Sequence, residues 1–156
     1  LYIGGAGARF PVLHYDYLHT HAFLMQFHGE KEYIALAPDQ ARHLYPREGS
    51  AANKSQIEDL DHVDPVRYPL FDQAQALRFK LRPGETLFVP AGWWHTARIL
   101  STSITVSVNG ASRANWADFR RDYVDDVAPT SPRKAALLQP YLALMGACFV
   151  LGDLFF

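Results

Sequence analysis

Sulfur is scarce in this chain: Cys148 is its single cysteine, with two methionines beside it in 156 residues. One cysteine cannot close an internal disulfide, so nothing points to an oxidising compartment, and the cytoplasm is the expected location. An excess of either charge is also missing. Fifteen basic residues against sixteen acidic ones leave a formal net charge of -1, with both signs mixed along the chain. Without a basic stripe to neutralise phosphates, no nucleic-acid partner is indicated. No signal-peptide pattern is present. The chain opens on the strand-like phrase Leu1-Tyr2-Ile3-Gly4-Gly5, and an N-terminal part is expected to be missing. Long apolar runs are lacking too. The most apolar stretch, 135–156, is interrupted by Asp153 and its unbroken part is shorter than the roughly 20 residues of a spanning helix. It is expected to be a buried or homodimer-forming helix rather than a membrane segment.

What is present suits one folded domain. Hydrophobic residues make up 49% of the chain and aromatic ones 13%, enough for a single core at this length. Short β-type runs occur at 11–16, 22–28, 31–37, 77–81, 86–90, 95–100 and 103–109, with Tyr2-Ile3 as the end of an earlier strand. The phrases His28-Gly29-Glu30 and Arg82-Pro83-Gly84-Glu85 supply hairpin turns. This predicts a mainly β fold, a double-sheet barrel or jelly roll over 1–111, with a loop-rich insert at about 38–76 on the barrel rim. Helical composition begins only afterwards. Trp116, Phe119 and Tyr123 are spaced as one helical face expected to pack against the barrel. Ser131 and Pro132 are placed to cap and start a second helix within 112–156.

The period of two in Pro11-Val12-Leu13-His14-Tyr15-Asp16 sends His14 and Asp16 to one face. Far downstream, Phe88-Val89-Pro90-Ala91-Gly92-Trp93-Trp94-His95 sets a histidine at the head of a strand. Two imidazoles and one carboxylate on adjoining strands can occupy one face of an octahedron, the arrangement that leaves open positions on non-haem Fe(II). His19, His21 and His28 are expected at the surface or rim, and His43 and His62 in solvent. Trp93 and Trp94 are expected to supply core bulk, with one ring at the rim. The acidic run 58–64 reads as a solvated face.

These phrases resemble the JmjC and cupin-like 2-oxoglutarate oxygenases, most closely the hydroxylase branch typified by the asparaginyl hydroxylase of hypoxia-inducible factor. The similarity runs collinearly through His14-Tyr15-Asp16, Gln26-Phe27-His28-Gly29-Glu30-Lys31, Ala37-Pro38-Asp39-Gln40, Leu44-Tyr45-Pro46, Pro83-Gly84-Glu85-Thr86-Leu87-Phe88-Val89-Pro90, Trp93-Trp94-His95 and Ser103-Ile104-Thr105-Val106-Ser107-Val108-Asn109. It covers about 1–123 and implies a double-stranded β-helix. It further implies Fe(II) held by His14, Asp16 and His95, with 2-oxoglutarate and O2 as co-substrates. Lys31 would grip the distal carboxylate, with Tyr33 able to share that task and Asn109 as a further contact. The activity implied is hydroxylation of a protein side chain or small molecule, while N-methyl demethylation shares the first chemical step. A metal-binding cupin without oxygenase activity and a non-catalytic assembly domain are the alternatives. The chain departs from the pattern at Pro11, where relatives carry a threonine, and at Gly110 and Ala111, where they carry aromatics.

Overall fold

The computed structural model describes residues 1–10 and 12–152. Pro11, where the resemblance expects a threonine, and 153–156 at the end of the apolar tail lie outside the described residues. Among those described, the strands are β1 (Tyr2–Gly4), β2 (His21–His28), β3 (Lys31–Leu36), β4 (Leu77–Leu81), β5 (Thr86–Val89), β6 (Trp94–Ile99) and β7 (Ser103–Gly110). Helices α1 (Trp116–Val127) and α2 (Pro132–Gly152) follow. One sheet has the order β1-β7-β2-β5 and the other β4-β3-β6, and every pairing is antiparallel. The fold is the mainly β double-sheet barrel with C-terminal helices that the sequence predicts.

Alternation decides what each strand offers to the interior. On β3, Lys31, Tyr33 and Ala35 share a face and stand opposite Ile99, Ala97 and His95 of β6. On β2 and β7, Ala22, Leu24 and Gln26 stand opposite Asn109, Ser107 and Thr105. The inner core joins Ala22, Leu24, Tyr33, Leu81, Val89 and Ala97. The hairpin between β2 and β3 requires Gly29, whose φ is +68° and whose added Cβ would sit 2.1 Å from the Thr102 carbonyl oxygen.

Four expectations are corrected. Residues 12–16 form no regular strand. His14 instead makes isolated bridges to His95 and Lys54, because the chain threads between the edge of β6 and the 53–55 loop. Two adjacent left-handed residues, Leu18 and His19, then turn it away. Second, the 38–76 insert does not sit only at the rim. It lies against the outer face of the β3–β6 sheet, where Leu44 joins Leu13, Ile34, Leu36 and Trp94 in a second core. His43 is accordingly buried rather than solvated. Third, the acidic run is not merely a solvated face: Asp59 and Asp61 pair with Arg9, and Asp61 also with Arg98, tying the insert to the sheet. Fourth, Trp116 and Tyr123 pack against α2 rather than the barrel. The Trp116 indole N–H donates to the Leu142 carbonyl at 3.0 Å. Gly146 leaves room for that ring, since a Cβ there would lie 2.5 Å from the indole nitrogen. Among the described residues no helix is long and apolar enough to cross a membrane.

Candidate metal and co-substrate site

The bridge between His14 and His95 builds the first half of the site. Each backbone N–H donates to the other's carbonyl, at 3.1 and 2.7 Å, and the two rings come to 4.6 Å between centroids. Asp16, two residues along the same segment, completes the group. His14, Asp16 and His95 each offer a ligand atom, all within 4.8 Å of one another. Parity therefore brings His14 and Asp16 together although no regular strand carries them.

Hydrogen bonds prepare these side chains for a cation. The His14 Nδ1 lies 2.9 Å from the Val12 carbonyl oxygen, and the His95 Nδ1 lies 3.0 Å from that of Trp93. A carbonyl only accepts, so each Nδ1 carries the proton and each Nε2 keeps its lone pair for a metal. Burial, reinforced by neighbouring His14, pushes the His95 imidazole below its ordinary value, outweighing the Trp93 hydrogen bond and the Asp16 charge. His95 is thus neutral near pH 7, as a ligand must be. Its Nε2 lies 3.9 Å from Asp16 Oδ1. Asp16 Oδ2 is buried without a hydrogen-bond partner among the described residues, a costly state for a carboxylate oxygen unless something positive meets it.

Lys31 is the second unusual group. It is 1% exposed, and its Nζ stands 5.8 Å from the Tyr2 ring centroid and 5.5 Å from that of Phe10. Among the described residues no carboxylate lies within ion-pair distance of it. The two ring faces offset part of the desolvation. Burial still pulls the amine below its ordinary value. Phe10 links this cation to the triad, its ring lying 6.4 Å from that of His14. Tyr33, stacked on Phe79 at 6.0 Å, is buried on the same β3 face. Burial first, then proximity to Tyr2 and Asp16, raises its phenol well above the ordinary value, so it stays a neutral donor. Asn109 is not drawn into the group. It is exposed, donates to the Thr20 hydroxyl at 3.1 Å and accepts from Ser107 at 3.0 Å.

Sequence reasoning missed Tyr2, Phe10 and Ser103 at this end of the barrel. Ser103 is fully buried and its Oγ has no partner among the described residues. Tyr2 is brought there because β1 pairs it with Thr105 on the inward parity of β7. Phe10 lies in an irregular segment whose periodicity says nothing. Of the other histidines, His21 accepts from the Ala91 N–H at 2.9 Å through Nδ1 and meets the Ser112 hydroxyl at 3.1 Å through Nε2, while His62 is exposed beside Asp59. Trp94 is buried in the outer core and Trp93 packs half-buried against the inner one.

Comparison with known proteins agrees with this architecture. The Jumonji C domain-containing protein 5 of Drosophila melanogaster is 36% identical over 107 residues, 68% of this chain and 26% of that protein. The human tRNA wybutosine-synthesizing protein 5 is 33% identical over 96 residues, 62% of this chain and 28% of its own. Lysine-specific demethylase 8 of Xenopus tropicalis is 34% identical over 106 residues, 68% and 23% respectively. The chain spans about a quarter of the length of these relatives. A family model described as a cupin-like domain matches residues 1–110, and the chain belongs to that family.

Proposed function

We propose that this chain is the catalytic barrel of an Fe(II)- and 2-oxoglutarate-dependent oxygenase acting as a hydroxylase on a protein side chain or small molecule. The observation that carries the reading is the convergence of His14, Asp16 and His95 on one point inside a barrel that also holds a buried Lys31 with no ion-pair partner among the described residues. Two neutral imidazoles and one carboxylate are the donor set of facial-triad iron sites. The residues fit: among the described residues neither Nε2 makes a hydrogen bond, and Asp16 Oδ2 is a buried carboxylate oxygen without a hydrogen-bond partner. When bound, the iron would supply the activation of O2 that couples 2-oxoglutarate decarboxylation to C–H hydroxylation.

The chain's own part is placement and charge. Lys31 stands four residues along β3 from Ala35, the register partner of His95. That is about 13 Å along an extended strand, a span that a lysine side chain and a five-carbon dicarboxylate fill together. Lys31 would neutralise the distal carboxylate beside the Tyr2 and Phe10 rings, where desolvation makes a fixed cation worth most. The Tyr33 phenol, kept protonated, can donate to the same ligand. Asn109, already engaged by Thr20 and Ser107, would reach a co-substrate only by giving up one of those bonds. Anaerobic calorimetry of the iron-loaded chain with 2-oxoglutarate tests this. Saturable one-to-one binding that disappears in Lys31→Met supports the reading, and binding unaffected by that change would remove Lys31 from its role.

N-methyl demethylation is the second reading, favoured by the name of the Xenopus relative. It uses the same metal and co-substrate and differs only in the carbon that is hydroxylated. Formaldehyde release from a methylated substrate would separate the two.

A further inference from the structure

The turn that follows Asp16 is the most strained stretch of backbone among the described residues. Leu18 has φ +58° and ψ +25°, and His19 has φ +47°. Two adjacent residues with side chains in the left-handed region persist only where their surroundings over-determine them. Those surroundings come from beyond the family match, which ends at residue 110. Asn115, 4% exposed, is held by its Oδ1, which accepts from the Ser112 N–H at 2.6 Å. Its Nδ2 donates to the His19 carbonyl at 2.7 Å. Two turns of α1 further on, Asp122 hydrogen-bonds the His19 ring and is itself held by Arg121 at 2.9 Å. Asp126 stands close enough to the Tyr17 hydroxyl to raise its phenol above the ordinary value. From the barrel side, Asn109 ties Thr20 at 3.1 Å.

From this geometry we infer that α1, through Asn115 and Asp122, fixes the 17–19 turn and thereby positions Asp16 as a metal ligand, so that the helical tail is a working part of the metal site. The inference rests on the metal reading above and extends it to residues that touch neither metal nor co-substrate. Among the described residues Asp16 has no hydrogen bond of its own to hold Oδ2, so its aim is set by the backbone on either side. On one side His14 is locked by its bridge to His95. On the other stands a turn whose conformation is unfavourable unless α1 clamps it. Asn115 and Asp122 are positioning residues: releasing either lets the turn relax towards ordinary φ values and swings the carboxylate.

The test is equilibrium binding of Co(II) to the full chain, read from its visible absorption, alongside thermal melting. Asn115→Ala and Asp122→Asn are compared with Ala117→Gly, an exposed change that weakens α1 without touching the turn. The expected result is a loss of Co(II) affinity of about 10–100-fold in the first two, as for other groups that orient metal ligands, with wild-type affinity in Ala117→Gly despite its lower melting point. Wild-type affinity in folded Asp122→Asn and Asn115→Ala overturns the coupling while leaving the metal site intact. If Asn115→Ala does not fold, Asp122→Asn decides alone. A folded wild-type chain that takes up no Co(II) defeats the metal reading, and this inference with it. Equal loss in Ala117→Gly also overturns it, since helix stability rather than the two contacts would then govern affinity.

Discussion

Lys31 and Asp16 carry opposite charges that nothing among the described residues neutralises in full, and both face the same interior. Each is expensive without a partner, and on the proposed function each cost is met by a ligand. Replacing Lys31 by Met keeps the length of the side chain and removes an uncompensated buried charge, so it should stabilise the empty protein by about 1–3 kcal/mol while abolishing 2-oxoglutarate binding. Melting curves with and without the ligand read both effects. The sign with pH follows from the lowered amine value. The cost of ionised Lys31 is full below its folded value and is relieved as pH rises through it. Wild type should therefore gain on Lys31→Met between that value and the ordinary lysine value of about 10.4. His95 behaves in the same sense at acid pH. Its imidazole is held down by burial and by His14, so the stability it contributes is full above about pH 6.5 and is lost as pH falls below it. The ligand-free chain should soften over that range, and His95→Asn should flatten the slope in a denaturation series.

At the scale of elements, the hairpins and strand faces were legible in the sequence because they rest on local rules. Gly29 is required by its backbone conformation and by contact with Thr102. Gly29→Ala should cost at least about 2 kcal/mol, since an added Cβ meets both a left-handed penalty and a carbonyl oxygen; urea unfolding measures it. The parity of β3 and β7 was also legible and placed Lys31, Tyr33, Thr105 and Ser107 inward. What was not legible depended on contacts between distant segments. Residues 12–16 alternate like a strand, yet their partners are single bridges to His95 and Lys54. No sequence pattern announces that Leu18 and His19 adopt left-handed angles. Trp116, Phe119 and Tyr123 showed a helical face without showing what it would meet. The answer came from α2, where Gly146 leaves room for the Trp116 ring. Gly146→Val should therefore loosen the helical pair, seen as a lower melting point with the barrel's near-ultraviolet signal retained.

Across the whole molecule the barrel and the tail divide the work. The family match covers the barrel, and the triad was visible in the sequence because chemistry restricts ligands to few residue types at fixed parity. The tail carries no such signature. Its bond to the turn after Asp16 emerges only when Asn115 and Asp122 are seen against His19. The exposed apolar positions Leu137, Tyr141 and Leu144 on α2 are likewise a feature of the assembled chain. The central claim is that three side chains hold an iron that drives 2-oxoglutarate chemistry. Iron-dependent conversion of 2-oxoglutarate to succinate by the folded chain, compared with Asp16→Ala, tests it most directly. The account predicts succinate from wild type and a loss of at least about 100-fold in Asp16→Ala with its fold intact; succinate formation that survives the loss of Asp16, or none from an iron-loaded, folded wild type, would contradict it.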